Sequence, residues 1–429
     1  MNILVITPGY ISHYRPIDCF LKESNIMTAD IAIATSSELR DIVERDGYHY
    51  TEFYAWENSN PGKIDMDRQR ECERDILQQS YEATKNGMIS ALRFQAEHRI
   101  HDLFGRVEDI VQAIEEINNL YHPKVFVVVQ LCYNVVAALE RLQYRYITFV
   151  TGHPDQLPRQ NEVYGYPYNQ PKMIRCNNDE LTQLYQVCSE VQNEASRQYE
   201  AIVGKKTNNV FSIASKEMVI YNYPKELLSH RNHLPNEYYL GAACRKCEIN
   251  EGLEERLKAI HTQNTPIIYV SFGTVFSVRG DALKKIFIAL AGINCHVVVA
   301  KGVLGSEYET YIKDEWTALE FAPQMLVLKY SNLLIGHGGN NSIIEALYYG
   351  VPVISCPFAS DQFFSAASIE ENQIGTVIDP NYSTIDEIRE AIYVALDCRS
   401  NAKKIQQYIM ITKNERRAQQ RLIQIISED

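Results

Sequence analysis

The chain has 429 residues, of which 45% are hydrophobic and 22% are charged, and its formal net charge is −12. This is an ordinary globular composition, in a chain long enough for two or three domains. The acidic balance and the lack of a long basic block argue against a nucleic-acid partner and against docking on an anionic membrane. The sequence also lacks the run of about eighteen apolar residues that a membrane-spanning helix needs.

The N-terminus and the cysteines indicate the compartment. Residues 3–6 enter an apolar strand at once, without the charged start and long apolar core of a signal peptide. The ten cysteines are scattered along the chain, as expected for reduced thiols. We therefore expect a cytoplasmic protein. The sequence does not predict its oligomeric state.

The first half of the chain alternates short apolar strands with amphipathic helices, which is typical of a doubly wound parallel α/β sheet. A helix is predicted over 109–120, where apolar residues recur at helical spacing. The polar stretch 61–105 has a helical composition. Strands are predicted at 2–7, 29–34, 124–130, 145–150 and 208–213.

A segment rich in proline and glycine, 151–173, is predicted to be a long ordered loop. Ordered loops of this length are often functional. Tyr164, Tyr166 and Tyr168 alternate within it. Their rings and hydroxyls could line a ligand pocket, or they could pack the loop onto its domain. The sequence leaves both alternatives open.

Residues 242–264 are charged and show no apolar period, so we expect an interdomain linker there. His230, His233, Cys244 and Cys247 have a spacing that zinc ligands can have. A single Cys-x-x-Cys is weak support for zinc unless the fold closes the site. A structural zinc therefore stays an open question at this point.

The second half of the chain repeats the alternation of strands and helices, and the terminal stretch 399–426 is amphipathic and helical. Strands are predicted at 267–271, 296–300, 317–320, 332–335, 352–355 and 375–378. Helices are predicted at 280–292, 341–349, 361–371 and 384–396.

The segment from His337 to Glu345, His-Gly-Gly-Asn-Asn-Ser-Ile-Ile-Glu, joins a predicted strand to a predicted helix. Backbone amides at such a helix start bind anions, and His337 can add a donor to a phosphate oxygen. Glu345 lies one turn further along, where it can reach a pair of ribose hydroxyls. Asp361 and Gln362 begin the next helix, and an adjacent acid and amide can bind the vicinal hydroxyls of a hexose.

These residues resemble the donor-binding signature of the UDP-glycosyltransferase family, which has the GT-B fold of two facing Rossmann-like domains. Phe321-Ala-Pro-Gln324 resembles the family's Trp-Ala-Pro-Gln, and Ser271-Phe-Gly-Thr274 resembles its Ser-Phe-Gly-Ser turn. The segment 9–16, which contains His13, resembles its N-terminal Gly-His-x-x-Pro. The resemblance is strong over 266–380 and weak over 36–240.

The resemblance implies that the chain is divided into four parts. An acceptor-binding domain would span 1–241, followed by the linker 242–264. The nucleotide-sugar domain would span 265–405, and a helix at 406–429 would cross back to the first domain. The predicted helices within 61–105 would then lie over the acceptor side.

The resemblance also implies a donor site, in which Phe321 would stack on the base and the Ala322 backbone would bond the base edge. Gln324 and Glu345 would bind the ribose, and Asp361 with Gln362 would bind the sugar. The pyrophosphate would lie on the Gly-rich turn, with Thr274 assisting. Asn340 stands where plant members have Trp. The full implied donor set is Ser271, Gly273, Thr274, Phe321, Ala322, Gln324, His337, Gly338, Gly339, Asn340, Asn341, Ser342, Glu345, Asp361 and Gln362.

His13 would be the general base, because family members use this His to deprotonate the acceptor hydroxyl. They place an Asp beside it, where this chain has Gln130, which cannot stabilise an imidazolium charge as a carboxylate does. Three explanations stay open. Another acid such as Asp155 could serve, His153 could itself be the base, or the acceptor could need little deprotonation, as with an amine, an amide or a phenol.

The implied function is an inverting transfer of a hexose from a UDP-sugar, or a related dTDP-sugar, to a small molecule such as a secondary metabolite or a nucleoside-like compound. No metal or cofactor is expected, since the helix amides and His337 can stabilise the leaving diphosphate. One alternative is a catalytically diverged nucleotide-binding partner of another transferase. The presence of Gln130 where family members have Asp favours this alternative. Another is a nucleotide-sugar epimerase, which the linear order of the motifs fits less well.

Overall fold

The computed structural model describes residues 1–55 and 71–428. The first half contains a seven-stranded sheet, all parallel, in the order β3-β2-β1-β4-β5-β6-β7. Its strands are Ile3–Ile6 (β1), Ile31–Thr35 (β2), His49–Glu52 (β3), Val125–Val129 (β4), Tyr146–Val150 (β5), Val219–Tyr221 (β6) and Glu237–Tyr239 (β7). Its helices are Ile11–Glu23 (α1), Arg40–Arg45 (α2), Glu71–Lys85 (α3), Met88–Asp102 (α4), Val107–Tyr121 (α5), Tyr133–Leu142 (α6) and Asn178–Val203 (α7).

The second half contains a six-stranded parallel sheet in the order β10-β9-β8-β11-β12-β13. Its strands are Ile267–Ser271 (β8), His296–Ala300 (β9), Thr317–Leu319 (β10), Leu333–Gly336 (β11), Val353–Ser355 (β12) and Gly375–Val377 (β13). Its helices are Glu251–Thr262 (α8), Gly273–Phe276 (α9), Gly280–Leu290 (α10), Ser306–Glu309 (α11), Gln324–Tyr330 (α12), Asn340–Tyr348 (α13), Gln362–Glu371 (α14), Ile385–Asp397 (α15), Arg399–Glu415 (α16) and Arg417–Ser427 (α17).

The central strands of both sheets are apolar runs that are buried on both faces, as parallel strands covered by helices must be. In each sheet the strand order reverses next to the first strand of that half, β1 or β8. Ligands of open α/β sheets bind beyond the carboxyl ends of the strands at such a switch point. The predicted pair of doubly wound domains is therefore confirmed, and the two switch points place their ligand sites.

The strand predicted at 208–213 is wrong. The structure has a 3₁₀ turn at Val210–Ser212, and the next strand of the sheet is β6, further along the chain. The side chain of Asn209 accepts a hydrogen bond from the Phe211 amide and so fixes a turn. Val210 and Phe211 are apolar because the turn itself is buried in the core.

Helix α8 lies inside the predicted interdomain linker 242–264. Its N-cap is Asn250, whose side chain accepts a hydrogen bond from the Leu253 amide. Leu253 and Leu257, one turn apart, are its buried residues. Two apolar contacts among charged residues are too few to give a visible period. The limits of the predicted domains stay a prediction.

The predicted helical stretch 61–105 is helical where it is described, in α3 and α4, while 61–70 lies outside the described residues. At the other end of the chain, α17 packs against α1 and β7 of the first domain. Within the described residues, no helix combines the length and apolar character needed to cross a bilayer.

Hydrogen bonds occupy both histidines of the zinc hypothesis. His230 lies 3.2 Å from Asp155 Oδ2, and His233 lies 3.0 Å from the Tyr239 hydroxyl. The described part of the chain contains no group of three or more His, Cys, Asp or Glu side chains that could hold a metal ion. The zinc hypothesis therefore has no ligand cluster to support it.

Candidate functional site

A cleft of about 430 Å³ lies between the carboxyl ends of the two sheets. The first domain contributes the start of α1 and the turn after β5. The second domain contributes the turn after β8, the start of α13 and the start of α14. Each wall thus consists of chain that leaves a buried strand, where side chains and amides are not used by the sheet.

Helix α13 begins at the cleft with Gly339 as its N-cap, and no side chain caps it. The first amides of a helix have no partner within the helix, so those of Asn340, Asn341 and Ser342 are available to an anion. Gly338 has φ +82°, and a Cβ there would come 2.3 Å from the Ser355 hydroxyl oxygen. A side chain at Gly338 would therefore be strained and would also collide, so glycine is needed to bring the backbone to the cleft.

His337 lines the cleft just before this turn. A Cβ added to Gly339 would lie 2.4 Å from its Nε2, and one added to Gly273 would lie 3.1 Å from its Cε1. Burial lowers the pKa of His337 to about 4, although a hydrogen bond with the Ser271 backbone acts in the opposite direction. The ring is therefore neutral near pH 7 and carries a single N–H, while its other nitrogen is an acceptor.

Gln324 and Glu345 lie together in the cleft and share a hydrogen-bonded cluster. Gln324 Nε2 donates to Glu345 Oε2 and, at 3.3 Å, to the Ser342 hydroxyl. Arg245, from the segment between the domains, contacts both carboxylate oxygens of Glu345, at 3.3 Å and 3.4 Å. Sequence patterns do not single out Arg245, because nothing in a charged linker indicates which cation faces a site.

Phe321 is 51% exposed, and Ala322 next to it is half-buried. An aromatic ring with an exposed surface can stack on a planar group. Ser271 is buried at the end of β8 and lies behind the cleft wall. The side chain of Thr274 lies outside the described residues.

Asp361 and Gln362 line the cleft at the start of α14. Asp361 Oδ2 accepts a 3.0 Å hydrogen bond from the His153 amide of the opposite domain. Burial raises the pKa of Asp361, although that amide acts in the opposite direction. Gln362 Oε1 accepts hydrogen bonds from the Phe358 and Ala359 amides, which leaves its Nε2 for a ligand.

His13 lines the cleft on the opposite wall, and its Nδ1 is hydrogen-bonded to the Thr151 hydroxyl. With Nδ1–H donating to Thr151, Nε2 would be the basic nitrogen. Burial, and then the charge of Arg99, lower the pKa of His13 to about 4. Thr151 directly follows β5, which pairs with β4, so its place beside the site follows from strand order.

The other proposed catalytic residues lie outside the lining of the cleft. The side-chain amide atoms of Gln130, Nε2 and Oε1, are buried without a hydrogen-bond partner among the described residues. Asp155 contacts Arg231 at 2.9 Å as well as His230, and these interactions hold its pKa well below the usual range. The His153 ring is fully buried, and its Nδ1 accepts from the Asp155 amide, as in a loop cap.

The three tyrosines of the loop 151–173 also lie outside this lining. Tyr164 is buried and stacks on Phe211 with ring centroids 4.0 Å apart. Tyr166 contacts the ring of Tyr168 edge-on, and the Tyr168 hydroxyl accepts a hydrogen bond from the Val163 amide. These contacts pack the loop on its own domain.

Two asparagines of the donor motif bond the first domain. Asn340 Nδ2 donates to the carbonyls of Thr151, at 2.8 Å, and Asn222, at 3.2 Å. Asn341 Nδ2 donates to the Ser12 carbonyl at 2.8 Å. The two side-chain amides therefore hold the walls of the cleft together. The backbone N–H groups of the same two residues lie at the start of α13.

The sequence model of the family described as "UDP-glucoronosyl and UDP-glucosyl transferase" matches residues 127–415, which is more than half of the chain. The chain is also similar to "NDP-glycosyltransferase YjiC" of Bacillus licheniformis, with 29% identity over 140 residues. That match covers 32% of this chain and 35% of the relative, so the chain spans about a third of the length of the curated relatives it matches.

Two solved structures share the architecture over nearly the whole chain. The glycosyltransferase of kitacinnamycin has a TM-score of 0.67 at 15% identity and covers 99% of each chain. The glycosyltransferase VinC, solved in complex with dTDP, has a TM-score of 0.64 at 13% identity and covers 100% of each chain. Identities this low show the fold alone, and the expected GT-B fold is confirmed.

Proposed function

The chain belongs to the UDP-glucoronosyl and UDP-glucosyl transferase family, and we propose that it transfers a hexose from a UDP-sugar to a small-molecule acceptor with inversion at the anomeric carbon. One observation carries the proposal. A candidate base, His13, and the open N-terminus of α13 line opposite walls of one cleft. Transfer from a nucleotide sugar requires a base and a diphosphate site in this relation.

The donor would lie along the second domain. The α13 amides and the neutral His337 would hold the diphosphate, and Gln324 with Glu345 would bind the ribose. Phe321 would stack on the base, and Asp361 with the Gln362 amide would bind the sugar hydroxyls. Amide dipoles fixed before the reaction stabilise charge as it develops on the leaving group, so the reaction would need no metal.

The acceptor would lie on the first domain, against His13. Nε2 would take the proton from the acceptor hydroxyl as the oxygen attacks the anomeric carbon. The bond from that carbon to the diphosphate oxygen would break on the opposite face, and the electron pair would leave with UDP. Thr151 would orient the imidazole, although a hydroxyl does not stabilise imidazolium as a carboxylate does. An acceptor that ionises readily, such as a phenol, suits this arrangement.

Calorimetric titration with UDP, UDP-glucose and dTDP-glucose, with and without EDTA, tests the donor site. We expect micromolar binding of UDP that EDTA leaves unchanged. Failure of all three nucleotides to bind would overturn the donor assignment. An EDTA-sensitive affinity would overturn the metal-independent part of the proposal.

Asp361→Asn separates sugar recognition from nucleotide binding. The amide keeps the size of the side chain but loses the charge that accepts from sugar hydroxyls, so turnover with any acceptor found by screening should fall at least tenfold. UDP affinity should stay within about twofold. Asp386→Asn is the control, because the Asp386 side chain is 91% exposed at the start of α15. An equal loss of turnover and of UDP affinity would remove Asp361 from the sugar site.

A nucleotide-binding partner of another transferase is the alternative, and the buried, unpaired amide of Gln130 favours it. This protein would bind UDP but would neither hydrolyse UDP-glucose nor glycosylate any acceptor. UDP release from UDP-glucose, followed with and without a panel of phenols and amines, distinguishes the two functions.

A further inference from the structure

Arg245 is a cation of the cleft that the donor motif does not explain. Arg15 also lines the cleft, but it forms an ion pair with Asp46 at 2.8 Å. Arg245 lies in the segment between the domains, yet this segment is fixed. The Ala243 amide donates to Asn222 Oδ1 at 2.7 Å, and Lys413 Nζ donates to the Ala242 carbonyl at 2.9 Å. Arg245 therefore reaches the cleft from an anchored backbone, and its guanidinium is partly exposed there.

The hydrogen bonds of Glu345 limit what this carboxylate can bind. A carboxylate has about four acceptor positions. Arg245 Nε approaches Oε1, while Arg245 Nη2 and Gln324 Nε2 both approach Oε2. About one position is left, on Oε1. A ribose offers two vicinal hydroxyls, and they cannot both donate to Glu345.

The Arg245 guanidinium has N–H groups that can donate to the oxygen of the second ribose hydroxyl. Arginine has about five N–H groups, and two of those of Arg245 are directed at Glu345. Its Nη1 has an ion pair with Glu248 at 3.7 Å, which is longer than a hydrogen bond. N–H groups of Nη1 and Nη2 are therefore left for a ligand. One hydroxyl can donate to Glu345 while the oxygen of its neighbour accepts from Arg245.

The geometry points to Arg245 as a specificity-determining residue that reads the ribose diol together with Glu345, so that the donor site selects ribonucleoside over deoxyribonucleoside diphosphates. This inference rests on the proposed function, since it takes the nucleotide to lie with its ribose at Glu345. The inference goes beyond the proposed function by assigning a role to a residue outside the donor motif and by favouring UDP-sugars over dTDP-sugars as donors.

Calorimetry with UDP, 2′-deoxy-UDP and 3′-deoxy-UDP tests the assignment. In the unchanged protein each deoxy analogue should bind roughly tenfold or more weakly than UDP, because a hydrogen bond to a charged group is lost. In Arg245→Ala and Arg245→Gln, UDP should weaken by a similar factor. One of the two deoxy penalties should then disappear, namely the one for the hydroxyl that Arg245 bonds.

Lys246→Ala is the matched control, because it removes the same charge from an exposed neighbouring position. It should change neither UDP affinity nor the penalties. If both penalties persist without Arg245, the residue does not contact the diol and the inference is overturned. If both disappear, Arg245 acts only by holding Glu345, which also overturns direct contact. If no nucleotide binds the unchanged protein, the proposed function itself fails.

Discussion

His13 lies in α1, which follows β1, with its Nδ1 against the hydroxyl of Thr151, which follows β5; β4 lies between these two strands in the sheet. A hydroxyl orients the ring but does not offset a positive charge on it as a carboxylate does, and burial makes that charge costly. Arg99 adds a repulsive positive charge. The three influences agree in keeping the imidazole neutral, which is the form a base requires.

The pH dependence of turnover should show that the His13 imidazole stays neutral. Since the pKa of His13 is lowered to about 4, the imidazole stays unprotonated from neutral pH down to about pH 5. We expect kcat/KM to be level over this range and to fall as pH decreases through about 4. Initial rates measured with a saturating donor and with the acceptor well below its KM check this prediction.

UDP affinity measured by calorimetry over the same pH range is the control, because the diphosphate site also titrates with acid. An acidic limb near pH 6.5, with UDP affinity unchanged, would contradict the assignment. It would mean that the site stabilises imidazolium after all.

Helix α17 shows how an element far from the donor motif supports the domain that forms the first wall of the cleft. Leu422 and Ile425 are fully buried in the core of the first domain, on the side of α1. The amphipathic pattern of the terminal stretch predicted the helix. The domain that receives its apolar face depends on the path of the chain after α16, which periodicity does not specify.

Leu422→Ala should lower the free energy of unfolding by about 2–5 kcal/mol, because it removes a fully buried side chain and leaves a cavity. The midpoint of urea unfolding, followed by circular dichroism, measures this. Ile423→Ala is the matched control, since Ile423 is 42% exposed on the same helix. Equal effects of the two substitutions would show that α17 does not pack on the domain in solution.

The cleft depends on side chains that cross between the two domains. Asn340 bonds carbonyls of the first domain, and Asp361 accepts from a first-domain amide. Gly152 makes the second contact possible, because a Cβ there would lie 2.8 Å from Asp361 Oδ2. The cleft residues Asn340 and Asp361 of the second domain are therefore held in place by the opposite domain.

Asn340→Ala should lower the free energy of unfolding by about 1–3 kcal/mol, because two buried carbonyls lose their donor. Thermal and urea unfolding measure the loss. Asn401→Ala removes a single hydrogen bond, to the Gln373 carbonyl within one domain, and should cost less. Unchanged stability of the Asn340 variant would show that the domains are not held together through this residue.

The sequence by itself determined the two doubly wound sheets, all six strands of the second sheet and the outline of the donor motif. These features are local, since apolar periodicity, glycine turns and helix starts are set by neighbouring residues. Only the tertiary structure decided that Thr151 is the partner of His13, that Arg245 reaches Glu345, and that Tyr164 is buried against Phe211. Each of these contacts joins residues distant in sequence, and such pairs are fixed by how the strands order and the domains face each other rather than by any local pattern.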